Sequence, residues 1–302
     1  MIRTAMNQPP ANLSLDSVRL LAELPDGWTI EQIAYVVRPT ADSDSLFRFP
    51  ASIPVCAVRV ESGSIVDSDA LKSLGPMLLT IPVDADRTLN GTQANLLETM
   101  QSWVDQGLPP GVQASHLVTF QGVQICWSMS RIAILASSQR IPSIRNSLIE
   151  ASYYETELCK VETALGQSWP QLEADMPLAF EFNQQSIPKR KQLRDRFQQI
   201  LQQQAHMARI GPYVHAPHMY PPTLASQISE RLRERTRMMH RHEFLDEQLE
   251  VFHTVYESCA QRSSDFMLAR SGHTLEWIII VILLVQTLFS VVEMLAGTGT
   301  GT

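Results

Sequence analysis

The sequence predicts an α+β protein: an N-terminal mixed sheet/helix domain, then a long helical stalk, then one C-terminal transmembrane helix. Three observations lead there. Short β-branched runs bounded by Pro, Gly, Ser or Asp fill the first 130 residues. Helical spacing of apolar residues takes over beyond them. The greasiest stretch, HTLEWIIIVILLVQTLFSVVEML, occupies 273–295. The expected segments are a soluble α+β domain at 1–130, a helical region at 131–222, a long helix or coiled-coil stalk at 223–272 and a transmembrane anchor at 273–295.

In chain order, IEQIAYVV (30–37), VCAVRV (55–60) and MLLTIPV (77–83) read as strands. TQANLLETMQSWVDQG (92–107) sets Leu96, Leu97, Met100, Trp103 and Val104 at helical spacing and stops at Gly107, ahead of Pro109-Pro110. HLVTF (116–120) and VQICW (123–127) flank Gln121-Gly122, a turn that glycine permits, and so predict a hairpin. RIAILAS (131–137) fits strand or helix equally well. Residues 140–165 carry Ile144, Leu148, Ala151, Glu155, Leu158, Val161 and Leu165 at three- and four-residue steps, and 189–210 form a second amphipathic helix. A Pro- and His-rich loop is expected at 211–223.

The stalk helix, 223 to 270, repeats Met238, Leu245, Phe252, Cys259 and Phe266 every seven residues, with His242, Leu249, Tyr256 and Ser263 between them. That heptad seam suits self-association, with Met238, Leu245, Leu249, Phe252, Tyr256 and Phe266 as its contact residues. Packing as a helical hairpin against 140–165 is the equal alternative. Ser271-Gly272 offers a hinge between stalk and anchor.

The anchor follows from length and context. Residues 277–295 make a helix of about 28 Å, close to the roughly 30 Å of a bilayer's hydrocarbon layer. Ile, Val and Leu occupy every face of its first half, and Trp277 stands at the headgroup edge beside Glu276. A packed core helix is the competing explanation, favoured by Gln286 and Glu293, yet only seven residues follow the run. Arg262, Arg270 and His273 precede the span and no basic residue follows it, which places the N-terminal portion in the cytoplasm, or in the matrix of a mitochondrion. The first residues, MIRTAMNQPPANLSLDS, lack the apolar core of a secretory signal. Cys56, Cys126, Cys159 and Cys259 show no CxxC spacing and suit a reducing compartment.

Charge is unevenly spread about a net of −7. Residues 1–130 carry seven Lys/Arg against thirteen Asp/Glu, whereas 186–241 carry eleven against three. Lys189, Arg190, Lys191, Arg194 and Arg196 cluster at a helix start, and Arg231, Arg233, Arg235, Arg237 and Arg241 cluster in the stalk. The stalk cluster is the expected basic contact surface. RNA phosphates, anionic lipid and the protein's own acidic residues are all partners it suits. No aromatics interleave with these arginines, so single-strand stacking is not expected.

Little points to catalysis. Asp84 and Asp86 form a DxD without a phosphate-binding glycine loop, best read as a solvated turn. His215, His218, His240 and His242 lie close in sequence, but His240 and His242 point to different helix faces. The nucleotide-loop, nucleophile-elbow and HExxH signatures are all missing. No catalytic residue, cofactor or metal is expected.

The pattern Arg241-x3-Leu245-Asp246-x2-Leu249, with LEWIIIVILL (275–284) some 25 residues on, resembles the required-for-meiotic-nuclear-division family, long labelled a domain of unknown function. The family's membrane segment begins with Leu-Glu-Trp. FQGVQICW is similar to its Gly-x4-Trp hairpin through Gly122 and Trp127, and RIGPYVHAPHMY sits where it carries an aromatic loop. Asp246 stands for its usual Asn, Gln286 for its intramembrane Glu, and Thr274 for the Arg before Leu-Glu-Trp. The resemblance covers about 115–295. It implies a membrane-anchored, self-associating protein without established enzymatic activity, whose eukaryotic relatives include mitochondrial inner-membrane proteins tied to organelle translation. The expected function is a non-enzymatic membrane scaffold or tether that forms a homo-oligomer and contacts lipid, a ribosome, RNA or another anionic partner. The alternative is a membrane-tethered hydrolase or transferase of unrecognised type.

Overall fold

The computed structural model describes residues 24–25, 27–37, 45–60, 71–83, 92–108, 115–215 and 223–297. The chain divides into two compact units, residues 1–163 with 206–245 and residues 164–205 with 246–302.

The first unit is built on strands β1 (Thr29–Val37), β2 (Ser45–Arg48), β3 (Val55–Val60), β4 (Leu71–Pro82), β5 (His116–Phe120), β6 (Val123–Trp127) and β7 (Arg131–Ala136). They form one sheet in the order β2-β3-β1-β4-β7-β6-β5. All neighbours are antiparallel except β4 and β7, where Met77 to Pro82 run parallel to Arg131 to Ala136. A parallel pair needs a crossover, and helix α1 (Thr92–Asp105) with the β5–β6 hairpin supplies it. Gln121 and Gly122 turn that hairpin with φ of 47° and 79°. Two successive positive φ values match the twist of the flanking strands, which is why a glycine stands there.

Both faces of the sheet's centre are covered, so β6 and β7 are buried along their whole length. On one face Leu96, Met100, Trp103 and Val104 of α1 pack against Leu79, Ile81, Cys126, Ala133 and Leu135. On the other lies the first part of α2 (Ile141–Asp175). Tyr35 donates its hydroxyl to the Ile149 carbonyl at 2.9 Å, and the Trp127 indole N–H donates to Ser152 Oγ at 2.9 Å. Phe49, Tyr35, Tyr153 and Tyr154 form an aromatic cluster there, with Phe49 and Tyr153 centroids 4.5 Å apart. Gly107 lies so near the Arg131 side chain that a Cβ would stand 2.6 Å from its Cδ. Helix α3 (Arg190–His215) adds its last turns to this unit, where Tyr213 stacks on Tyr154 and hydrogen-bonds Ser52 Oγ at 2.7 Å.

The second unit comprises the end of α2, two 3-10 turns (Met176–Ala179 and Gln184–Lys189), the start of α3 and the greater part of α5 (Met238–Gly297). Trp169 packs edge-on against Phe252 at 4.9 Å, Phe182 against Phe266 at 5.7 Å, and Phe197 against His253 at 5.3 Å. Arg196 forms an ion pair with the buried Asp175.

Several expectations are corrected. Residues 131–136 are a buried strand, so helix begins only at Ile141 rather than at 131. Two flanking strands outweigh a pattern that fits either state. Helix α3 does not stop at 210; it continues through Gly211 and Pro212 to His215. The stalk is not one helix. It breaks into α4 (Leu224–Arg235) and α5 at Thr236-Arg237, where Arg237 adopts φ of 53° and so ends α4 with a left-handed residue. The helix does not break at Ser271-Gly272: α5 continues through both residues, and Ser271 donates its hydroxyl back to the Leu268 carbonyl at 2.9 Å. Strand β2 had no counterpart among the expected elements. Asp84, Asp86 and His218 lie outside the described residues.

Candidate functional site

Two features merit functional reading: the apolar end of α5, and an arginine-rich cleft in the first unit.

Helix α5 is long and apolar enough to cross a membrane, and none of its most apolar stretch is buried among the described residues. Every side chain from Trp277 to Val285 is between 46% and 64% exposed. That face-independent exposure distinguishes it from a core helix, which hides what is apolar. Gln286 is exposed within the run, and Glu276 accepts from His273 Nδ1 at 3.1 Å just before it.

The expected contact seam is differently disposed. Met238, Leu245, Leu249, Phe252, Tyr256 and Cys259 are all buried within this chain, and Phe266 rests on Phe182. In the second unit, Phe252 packs on Trp169, a residue of α2 beyond the 140–165 stretch of the hairpin alternative. Their periodicity is that of an internal core stripe.

The five stalk arginines separate into distinct environments. Arg231 lies over the Phe120 ring, 4.2 Å from its centroid, and Arg233 is half-buried. Arg235 and Arg237 are exposed and line a cleft of about 300 Å³ with Leu108, His116, Trp127, Glu155 and Arg241. His116 stacks on Trp127 with centroids 5.7 Å apart and forms part of the wall.

Arg241 is the cleft's fixed charge. Its Nε and Nη2 donate to the two oxygens of Glu162 at 2.6 and 2.8 Å, and its Nη1 donates to Glu155 Oε1. Its Nη2 also lies 3.1 Å from Cys159 Sγ. Burial alone would lower its pKa, but the bonds to Glu162 and Glu155 outweigh burial and the net shift is upward. The Cys159 thiol is pushed up to about 11, first by burial and then by Glu155, which favours its protonated form at neutral pH. Glu155 Oε2 is buried without a hydrogen-bond partner among the described residues.

The sequence places Arg241 in a basic contact surface, whereas in the fold its guanidinium is taken up by Glu155 and Glu162. A signal existed: Glu155 occupies a core position in the apolar stripe of α2, and a buried carboxylate demands a cation. Choosing Arg241 over its neighbours needed the fold. Of the histidines considered together, His215 and His242 meet, with ring nitrogens 3.2 Å apart, and His242 Nε2 lies 3.1 Å from the Met207 carbonyl oxygen. His240 is exposed beside Glu243.

No family model matches this chain, and no curated protein is similar enough to match it.

Proposed function

We propose that the chain is a membrane-anchored, self-associating scaffold or tether without enzymatic activity of its own. The α+β unit lies on the cytoplasmic (or matrix) side and offers Arg235 and Arg237 to an anionic partner. The observation that carries this reading is the continuous exposure of Trp277 to Val285, which no apolar partner covers among the described residues. Lipid is the solvent in which such a surface is stable. The basic residues before the span support the orientation. Gln286 supports association within the bilayer, since an amide facing lipid gains a hydrogen bond from a second copy. Arg235 and Arg237 are the stalk arginines left free to meet a partner, and a ribosome, RNA or anionic lipid presents suitable phosphates. The resemblance to the meiotic-nuclear-division family agrees with this tether role.

The test compares the full chain with a variant ending at 274. The full chain should remain in membranes through an alkaline carbonate wash and the truncation should partition to the soluble fraction. Carbonate-resistant membrane association of the truncation defeats the anchor.

A further inference from the structure

A pocket of about 540 Å³ opens in the second unit where the start of α3 faces α5. Its floor is apolar, formed by Ile187, Leu193, Phe197 and Ala260. Its rim carries Arg190, Lys191 and Arg194, all exposed, and no carboxylate among the described residues lines it. Among the described residues Arg194 meets one acid, its neighbour Asp195, 3.9 Å away and 51% exposed, which leaves most of that cationic charge to solvent.

A second observation, independent of the charges, points to a ligand. Ser263 of α5 lines the same pocket, is only 3% exposed, and its hydroxyl has no hydrogen-bond partner among the described residues. A helical serine ordinarily returns its proton to the carbonyl one turn back, as Thr254 does to Glu250 at 2.9 Å and Thr274 to Arg270 at 3.0 Å. A buried hydroxyl that does neither is costly and wants an acceptor. Ser263 also precedes Trp277 on one unbroken helix by fourteen residues, a rise of about 21 Å.

We propose that this pocket binds an anionic amphiphile: a phosphorylated lipid whose phosphate meets Arg190, Lys191, Arg194 and the Ser263 hydroxyl, and whose chain lies on the apolar floor. Three cations and a neutral donor recognise a phosphate. Leu193 and Phe197 recognise hydrocarbon, which a free phosphate lacks. The anchor reading supplies the source of such a lipid, but the pocket does not rest on self-association, and binding in detergent is measurable whether or not α5 inserts.

The experiment uses the full chain in a neutral maltoside detergent and measures binding by native mass spectrometry and calorimetry. The probes are dioctanoyl phosphatidic acid, glycerol 3-phosphate and dioctanoyl phosphatidylcholine. Phosphatidic acid should bind at least about tenfold tighter than either of the others, because only it supplies both a net negative charge and a chain. Replacing Arg190, Lys191 and Arg194 together by Gln should weaken it by about tenfold or more, while Arg262→Gln with Arg270→Gln leaves it unchanged. Ser263→Ala should weaken it by about threefold to tenfold without lowering the thermal midpoint of the free protein, since no internal bond is lost. Equal binding of glycerol 3-phosphate overturns the amphiphile in favour of a soluble phosphoester. Equal loss in the two charge variants reduces the effect to general attraction, and a single-stranded RNA that displaces the lipid completely assigns the surface to nucleic acid; either result overturns the site.

Discussion

Arg241 and Glu162, seventy-nine residues apart, join fork to fork, with Nε to Oε1 at 2.6 Å and Nη2 to Oε2 at 2.8 Å. The same guanidinium neutralises Glu155, whose side chain is 6% exposed. The pair therefore fixes the start of α5 onto α2 within the first unit.

Removing that cation strands a buried carboxylate. Arg241→Ala should lower stability by about 3 kcal/mol, a fall of about 6–12 °C in thermal midpoint for a domain of this size. Arg241→Lys should recover only part of it, because an ammonium cannot span both oxygens of Glu162. Adding Glu155→Gln to Arg241→Ala should restore several degrees. A melt of Arg241→Ala within a degree of the parent contradicts the assignment.

Arg237 holds φ of 53°, where an L side chain is strained and glycine is not. Arg237→Gly should raise stability by about 1 kcal/mol, or about 2–4 °C. The same change should reduce recovery of an anionic partner, and Arg235→Glu with Arg237→Glu should abolish it in a salt-sensitive manner. Recovery unchanged by the double reversal returns these arginines to an ordinary solvated face.

The heptad positions are core, so their loss should unfold rather than dissociate. Phe252→Ala should cost about 3–5 kcal/mol without changing assembly size at temperatures well below its midpoint. Gln286→Leu should leave the melt unaltered and weaken self-association, for a change below about 2 kcal/mol. Analytical ultracentrifugation in mild detergent reads both. A full chain that sediments as a monomer across concentrations and detergents removes self-association from the proposal.

High pH should destabilise the fold. Burial is the first cause raising the thiols of Cys126, Cys159 and Cys259 from the ordinary 9.0 to about 12, 11 and 11, and the Tyr256 hydroxyl from 10.0 to about 12. Nearby Asp105, Glu155 and Asp175 add to it. These groups are held neutral in the folded state, so the unfolded chain releases its protons first. Their contribution is whole below about pH 9 and is lost as pH rises through 11 to 12. Thermal midpoints should be level from about pH 7 to 9 and fall above it, and a midpoint that climbs beyond pH 9 reverses the sign of the argument.

The sequence by itself determined the elements whose pattern is local. Strand β3 and the β5–β6 hairpin fall where β-branched runs and Gln121-Gly122 put them, and α1 starts at Thr92 as expected. The apolar run from Trp277 to Val285 needed no neighbours to be recognised, because length and uniform hydrophobicity are properties of the segment alone. Tertiary structure decided the rest. Residues 131–136 became strand because β4 and β6 offered hydrogen bonds on both sides. The seven-residue recurrence became a core stripe because Trp169 and Phe182 covered it, and periodicity reports which face is buried but not what buries it. Arg241 parted from its exposed neighbours because only its position reaches Glu155 and Glu162 across the chain, a pairing that sequence spacing cannot express.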